Sequence, residues 1–125
     1  MSQAHGISLG VERIGTQVYL AGKAVGTLTH DDYQVVTPFL ESVFSNLEQD
    51  RVRMLFDIRE FSGWEMRAAW DDLRIGLKHG KAFERIAIVG QGSAQERMTK
   101  VANWFTSGEV RYFEQTDAAL TWLMG

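Results

Sequence analysis

Val52-Arg53-Met54-Leu55-Phe56-Asp57-Ile58 runs into Arg59-Glu60-Phe61-Ser62-Gly63-Trp64 and then into the stretch from Glu65 to His79. The first segment is apolar almost without interruption, as expected of a central parallel strand buried on both faces. Ser62 and Glu65 have the S-x-x-E spacing of a capping box, in which the two side chains satisfy each other's free amides at a helix start. Met66, Ala69, Trp70, Leu73 and Leu77 then recur at three- and four-residue spacing, so they form the inward face of an amphipathic helix. Lys78 and His79 suit the carboxyl end of that helix, and Gly80 can stop it. The reading is strand, short loop, helix. In open α/β sheets ligands collect at the carboxyl ends of strands, so the junction at 59–66 is where a site is sought.

Upstream, Tyr33, Val36, Leu40, Val43, Phe44 and Leu47 form a second helical stripe. Thr29 is placed to cap it, with Asp31 and Asp32 in the first turn, where carboxylates favour the helix dipole. Pro38 inside the stripe removes one backbone donor and predicts a kink or a short first turn. Lys23 to Thr29 contains glycine and reads as a loop. Before it, Ile7, Leu9 and Val11 alternate with polar or small residues, Gly15 marks a turn, and Val18 and Leu20 continue the period. That pattern is an edge hairpin.

Downstream, Ile86-Ala87-Ile88-Val89, within 85–90, reads as another buried strand. Ser93-Ala94-Gln95-Glu96 repeats the capping box before a stripe of Met98, Val101, Ala102 and Phe105. Val110, Tyr112 and Phe113 make a short last strand. Thr116 caps a final helix carrying Ala119, Leu120, Trp122 and Leu123. The order β-β-α-β-α-β-α-β-α implies one α/β domain over residues 1–125. It has a five-stranded, mixed but mostly parallel sheet, about four helices and right-handed crossovers.

Composition narrows the function classes. The 125 residues are 45% apolar and 23% charged, as in an ordinary globular domain. A net charge of -3 argues against a broad nucleic-acid surface. The absence of cysteine removes disulfides and thiolate metal sites and fits a reducing compartment. The first residues lack the basic-then-apolar pattern of a signal peptide, and no apolar run reaches bilayer length. The expected location is the cytoplasm, with contact at the membrane periphery admitted.

Several pieces, taken in this order and spacing, resemble the SpoIIAA-like branch of the STAS superfamily. They are Leu28-Thr29-x-x-Asp32-Tyr33, Leu55-Phe56-Asp57, Ala69-Trp70-Asp71 and His79, then Arg85-Ile86-Ala87-Ile88-Val89-Gly90. Val110-Arg111-Tyr112-Phe113 and Ala118-Ala119-Leu120-Thr121-Trp122-Leu123 complete the set. The resemblance implies a non-enzymatic module. In the founding members the first serine of an Asp-Ser-Ser-Gly-Leu-like turn is phosphorylated. Here Phe61 stands at that position and Ser62 matches the second serine, which argues against the phospho-switch. The fold also resembles CRAL-TRIO lipid carriers, and by that analogy the resemblance implies a nonpolar ligand or a membrane surface as the expected partner.

The site expected from these readings is apolar: Phe61, Trp64, Met66 and Trp70. Met66 and Trp70 fall on the inward face of the second helix. Trp64 shares the other face with Ala68 and Ile75, where it is either exposed or packed against a neighbouring loop or a second subunit. A helix apolar on both faces can open over an acyl chain or press tryptophan into a membrane interface. The expected partners are a nonpolar small molecule or a membrane surface. The alternative is a protein-interaction or signalling module, with a partner protein or a second copy of the chain on the same surface.

No catalytic set, metal set or cofactor motif is evident. Asp57, Asp71 and Asp72 would suit a hard cation only if they converged, and Asp57 is better explained as a cap or as the partner of Arg59 or Arg67. His5, His30 and His79 have no metal-ligand spacing. Gly90-Gln91-Gly92-Ser93 lacks the third glycine of a dinucleotide fingerprint and reads as a tight βα turn.

Overall fold

The structure is a computed structural model that describes residues 4–46, 52–69, 71, 83–92 and 108–125. Five strands form one sheet in the order β1-β2-β3-β4-β5: Gly6–Ile14, Gln17–Leu28, Val52–Trp64, Phe83–Val89 and Glu109–Phe113. β1 and β2 are an antiparallel hairpin; every later pairing is parallel. α1 spans His30–Asn46, α2 is helical at 66–69 and again at 71, and α3 spans Thr116–Met124. The expected third helix, from Ser93 to Phe105, lies outside the described residues. So do Leu47, Trp70 and the stretch from Asp72 to Gly80, which includes Leu73, Ile75, Leu77 and His79.

Side-chain alternation along the strands divides the core between the two faces of the sheet. Leu20, Val52 and Met54 pack with Val43 of α1, while Ala24, Leu28, Ile58 and Phe61 pack with Tyr33 of α1 and Ala68 of α2. On the other face, Ala87, Val89 and the half-buried Leu55 meet Ala119 and Leu123 of α3. Leu28, Leu123 and Val89 are the largest fully buried side chains. Truncating a leucine in such a position to alanine costs about 2–5 kcal/mol.

β2 is longer than the sequence reading placed it, for it continues through Lys23 to Leu28. Leu20, Gly22, Ala24, Gly26 and Leu28 alternate inward, and the small ones serve packing rather than a loop. At Gly22 a Cβ would lie 3.0 Å from Leu9 and Met54 side-chain atoms and 3.1 Å from Phe56. The longer β2 offers a template for 59–64, and β3 runs along it to Trp64. The expected loop and Ser62 capping box are therefore absent. Ser62 is an exposed strand residue, and the Glu65 amide donates to the Leu28 carbonyl at 2.9 Å. Two register shifts, between Lys23 and Val25 and between Gly26 and Thr27, bend this extension.

α1 starts as its sequence implies. The Thr29 amide donates to Asp32 Oδ2 at 2.9 Å, and the Asp32 amide donates to Thr29 Oγ1 at 3.3 Å. Tyr33, Val36 and Leu40 are buried. The helix is continuous through Pro38. At α3 the capping position is Gln115, with no side-chain bond, and Thr116 is the first helical residue rather than the cap. Its carboxyl end is held instead by arginines. Arg85 Nη1 donates to the carbonyls of Trp122 (2.8 Å) and Gly125 (2.9 Å), and Arg53 Nη1 donates to that of Leu123 (2.8 Å). These are carbonyls that the helix itself leaves without partners.

Candidate functional site

The end of β3 brings two aromatic residues of the expected set together. Phe61 is buried against the α1 side of the sheet, and Trp64 meets it edge to face with ring centroids 4.7 Å apart. Trp64 Nε1 donates to the hydroxyl of Tyr33 at 2.8 Å, and Tyr33 is itself buried on α1. The indole's polar edge is thus satisfied inside, while 38% of the residue stays exposed. The helical stripe marks Tyr33 as a core residue only. Its hydroxyl, which needs a partner when buried, was the available signal.

Met66 departs from its expected place. The helical stripe puts it on the inward face of the second helix, yet it is 91% exposed, while Ala68, on the outward face with Trp64 by the same stripe, is fully buried. The cause is the strand extension. Trp64 belongs to β3, and the Glu65 amide bound to Leu28 fixes the rotation of the helix that follows. Ala69 donates to the Glu65 carbonyl at 3.0 Å, which begins α2, and the inward positions become 68 and 71. Trp70, the fourth expected site residue, lies outside the described residues.

Asp71 faces α1. His30 Nδ1 lies 2.5 Å from Asp71 Oδ2, with both side chains mostly buried. The start of α1 and the first turn of α2 are thereby joined by a polar contact beside the aromatic cluster. A second such pair, His5 Nδ1 with Asp32 Oδ2 at 2.8 Å, joins the segment before β1 to α1. Burial pushes the Asp32 carboxyl up. The Thr29 amide and then His5 outweigh it, so the group sits below the usual carboxylate range.

Asp57 is held by its near neighbour, as expected. The Arg59 amide and Nε each donate to Oδ1 at 3.0 Å, and Nη2 donates to Oδ2 at 2.8 Å. The Arg59 side-chain hydrogen bonds lower the Asp57 pKa against the opposing effect of burial. Asp57 and Asp71 therefore serve different partners and do not converge on a cation. Among the described residues no three acidic or histidine side chains are grouped for a metal. The Gly90 amide donates to the Phe113 carbonyl at 2.9 Å and the Gly92 amide to the Tyr112 hydroxyl at 3.0 Å. Those two amides are occupied within the fold, and the helix expected after them lies outside the described residues.

Among the described residues no nucleophile is paired with a base at the β3 end. At that end Phe61 is buried under a half-exposed Trp64, and Met66, in the helix that follows, projects into solvent. Among the described residues no helix is long and apolar enough to cross a membrane.

Comparison with known proteins gives consistent results. A family model described as SpoIIAA-like matches residues 19–124. The crystal structure of an uncharacterized protein of the DUF3478 family from Shewanella loihica PV-4, with a SpoIIAA-like fold, is 53% identical in sequence. The match covers 98% of each chain with a TM-score of 0.92. The search of curated proteins returns no match.

Proposed function

The chain belongs to the SpoIIAA-like family, and on that premise we propose that it is a non-enzymatic STAS-type module that binds nonpolar chains through an apolar platform at the end of β3. The ligand class is an acyl or similarly apolar chain, presented either by a free small molecule or by a membrane surface. One observation carries this reading: Met66 projects almost wholly into solvent beside a tryptophan whose N–H is already satisfied inside. An exposed methionine is unbranched and adaptable, and so suits ligands of varied shape. A half-exposed indole suits an interface that is apolar on one side and wet on the other. Phe61 supports the indole from below, and α2, anchored by Glu65 and Asp71, is the element whose movement would widen the platform.

The test is native mass spectrometry of the purified protein, followed by organic extraction, together with flotation on phosphatidylcholine–phosphatidylglycerol vesicles. A co-purifying apolar mass, or vesicle binding lost in Met66→Ser and Trp64→Ala, supports the reading. Neither an extractable ligand nor vesicle binding in the wild type would sink it.

The alternative, a STAS-type interaction or signalling module, is favoured by the exposure of Ser62 on β3. In this version Phe61 replaces the phosphorylatable serine, so the partner would read the strand surface without a phosphate at that position.

A further inference from the structure

β1 is one edge of the sheet, and among the described residues no strand pairs with its outer side. The hairpin turns through Gly15 (φ +61°) and Thr16, and Ile14 opposite Gln17 closes it. In a two-residue hairpin the closing pair exchanges both backbone hydrogen bonds, and such pairs alternate along the ladder. The register is unbroken back to Gly6 opposite Val25. Ile14, Glu12, Gly10, Ser8 and Gly6 therefore direct their backbone groups to β2. Ile7, Leu9, Val11 and Arg13 direct theirs outward.

Sheet edges are usually defended by charge, proline or a bulge. Residues 6–11 carry none of these. The opposite edge, β5, is five residues long, with Glu109 and Arg111 in it.

We propose that β1 pairs antiparallel with β1 of a second copy of this chain, on a two-fold axis through Gly10. Pairing about a two-fold normal to the sheet places residues of the same face opposite one another, which allows only registers centred on a residue. Centring on Gly10 sets Leu9 opposite Val11 of the partner subunit and Ile7 opposite Arg13 of the partner subunit. All four outward-facing residues are then used. Centring on Val11 leaves Ile7 unpaired, and centring on Leu9 carries Arg13 past the start of the strand. Centring on Glu12 sets that carboxylate against its own copy, and directly opposed like charges are destabilising. In the Gly10 register Ser8 faces Glu12 of the partner subunit instead, as a hydroxyl donor to a carboxylate. Val11, 56% exposed, covers the partner's Leu9, which already packs with the Leu20, Val52 and Met54 cluster. The apolar face of one sheet thus continues into the next.

Gly10 supplies the test. A Cβ built there meets nothing within 4 Å, so a side chain is accommodated in the single chain. At the axis, two opposed side chains would meet. Gly10→Glu and Gly10→Lys should each sediment as folded monomers where the wild type sediments as a dimer, and an equimolar mixture of the two should restore the dimer. The opposed Gly10 residues form a non-hydrogen-bonded pair, with Cα atoms about 4.5 Å apart, within disulfide reach. The chain has no cysteine of its own. Mild oxidation should therefore link Gly10→Cys covalently, and should leave Glu12→Cys, about 13 Å from its twin along the strand, unlinked. A wild type that stays monomeric at high concentration would overturn the proposal. So would a dimer that Gly10→Glu leaves intact, or equal cross-linking of the two cysteine variants.

Discussion

The indole nitrogen of Trp64 and the hydroxyl of Tyr33, 2.8 Å apart, tie the last residue of β3 to the first turn of α1. The contact lets Trp64 leave the core with no polar atom left unpaired. Tyr33→Phe keeps the buried ring and removes only the acceptor. The expected loss is about 1 kcal/mol, the usual net worth of one hydrogen bond, read as a lower urea midpoint at unchanged slope. Trp64→Phe should lose the same coupling, so in the double variant the two losses should not add.

Acid should destabilise the protein through Asp32 and Asp57. Both carboxyls are held below the usual range in the folded chain: Asp32 by the Thr29 amide and His5 against burial, Asp57 by Arg59 against burial. A depressed folded pKa contributes stability that is fully present above the unfolded value, near 3.9, and lost as pH falls through the folded one. Urea midpoints should therefore fall as pH drops below about 4. In Asp32→Asn the midpoint should start lower at neutral pH and fall less steeply. Equal slopes for the two proteins would remove Asp32 from this account.

The element order and the sheet were legible because buried strands and helical stripes have unmistakable periods; Met54-Leu55-Phe56 and the Tyr33, Val36, Leu40 stripe are examples. The ends of β2 and β3 were not. Gly22, Ala24 and Gly26 look like loop residues until their neighbours across the sheet are known, and the strand status of 59–64 depends wholly on that β2 partner. The same missing information inverted the helix face. S-x-x-E at Ser62 matched a local rule, but the Leu28 carbonyl, distant in sequence, took the Glu65 amide. Phe61 and Trp64 were findable as apolar residues at a strand end. The contact of His30 with Asp71 spans 41 positions and leaves no local trace.

Gly26 should tolerate substitution worst among the strand glycines. Its φ is +66°, and a Cβ there would sit 2.4 Å from the Ala4 carbonyl oxygen, a backbone atom. Gly26→Ala should cost about 2 kcal/mol or more, from left-handed strain and displacement of the segment before β1. Gly22→Ala meets the side chains of Leu9, Met54 and Phe56 rather than backbone, and should cost about 1 kcal/mol. Thermal unfolding of both variants checks the ranking.

Arg85 should matter to α3 out of proportion to its place on the sheet. It donates to two terminal carbonyls of that helix and lies 5.4 Å from the centroid of the Trp122 ring. Arg85→Ala should cost about 1–2 kcal/mol, given hydrogen bonds that are charge-assisted but partly solvated. Arg85→Lys should recover only part of that, since a single ammonium does not reproduce the planar fork and ring stacking. Hydrogen exchange at 119–124 should speed up in both, more in the alanine variant.

His30 and Asp71 join the start of α1 to α2, and their contact sets how firmly Ala68 of α2 sits on the cluster of Leu28, Tyr33 and Phe61. Asp71→Ala and His30→Ala should each loosen that attachment. A double-mutant cycle should give a coupling of about 1 kcal/mol, since the pair is mostly buried and in direct contact. Looser seating of α2 exposes more of the apolar surface beneath it. Asp71→Ala should therefore bind a hydrophobic dye faster than the wild type while near-ultraviolet dichroism shows the rest of the core intact. Under the proposed function it should also take up an acyl chain faster. If coupling is measured and uptake is unchanged, the pair stabilises the fold without gating the platform, and the ligand reaches Trp64 and Met66 from outside with α2 in place.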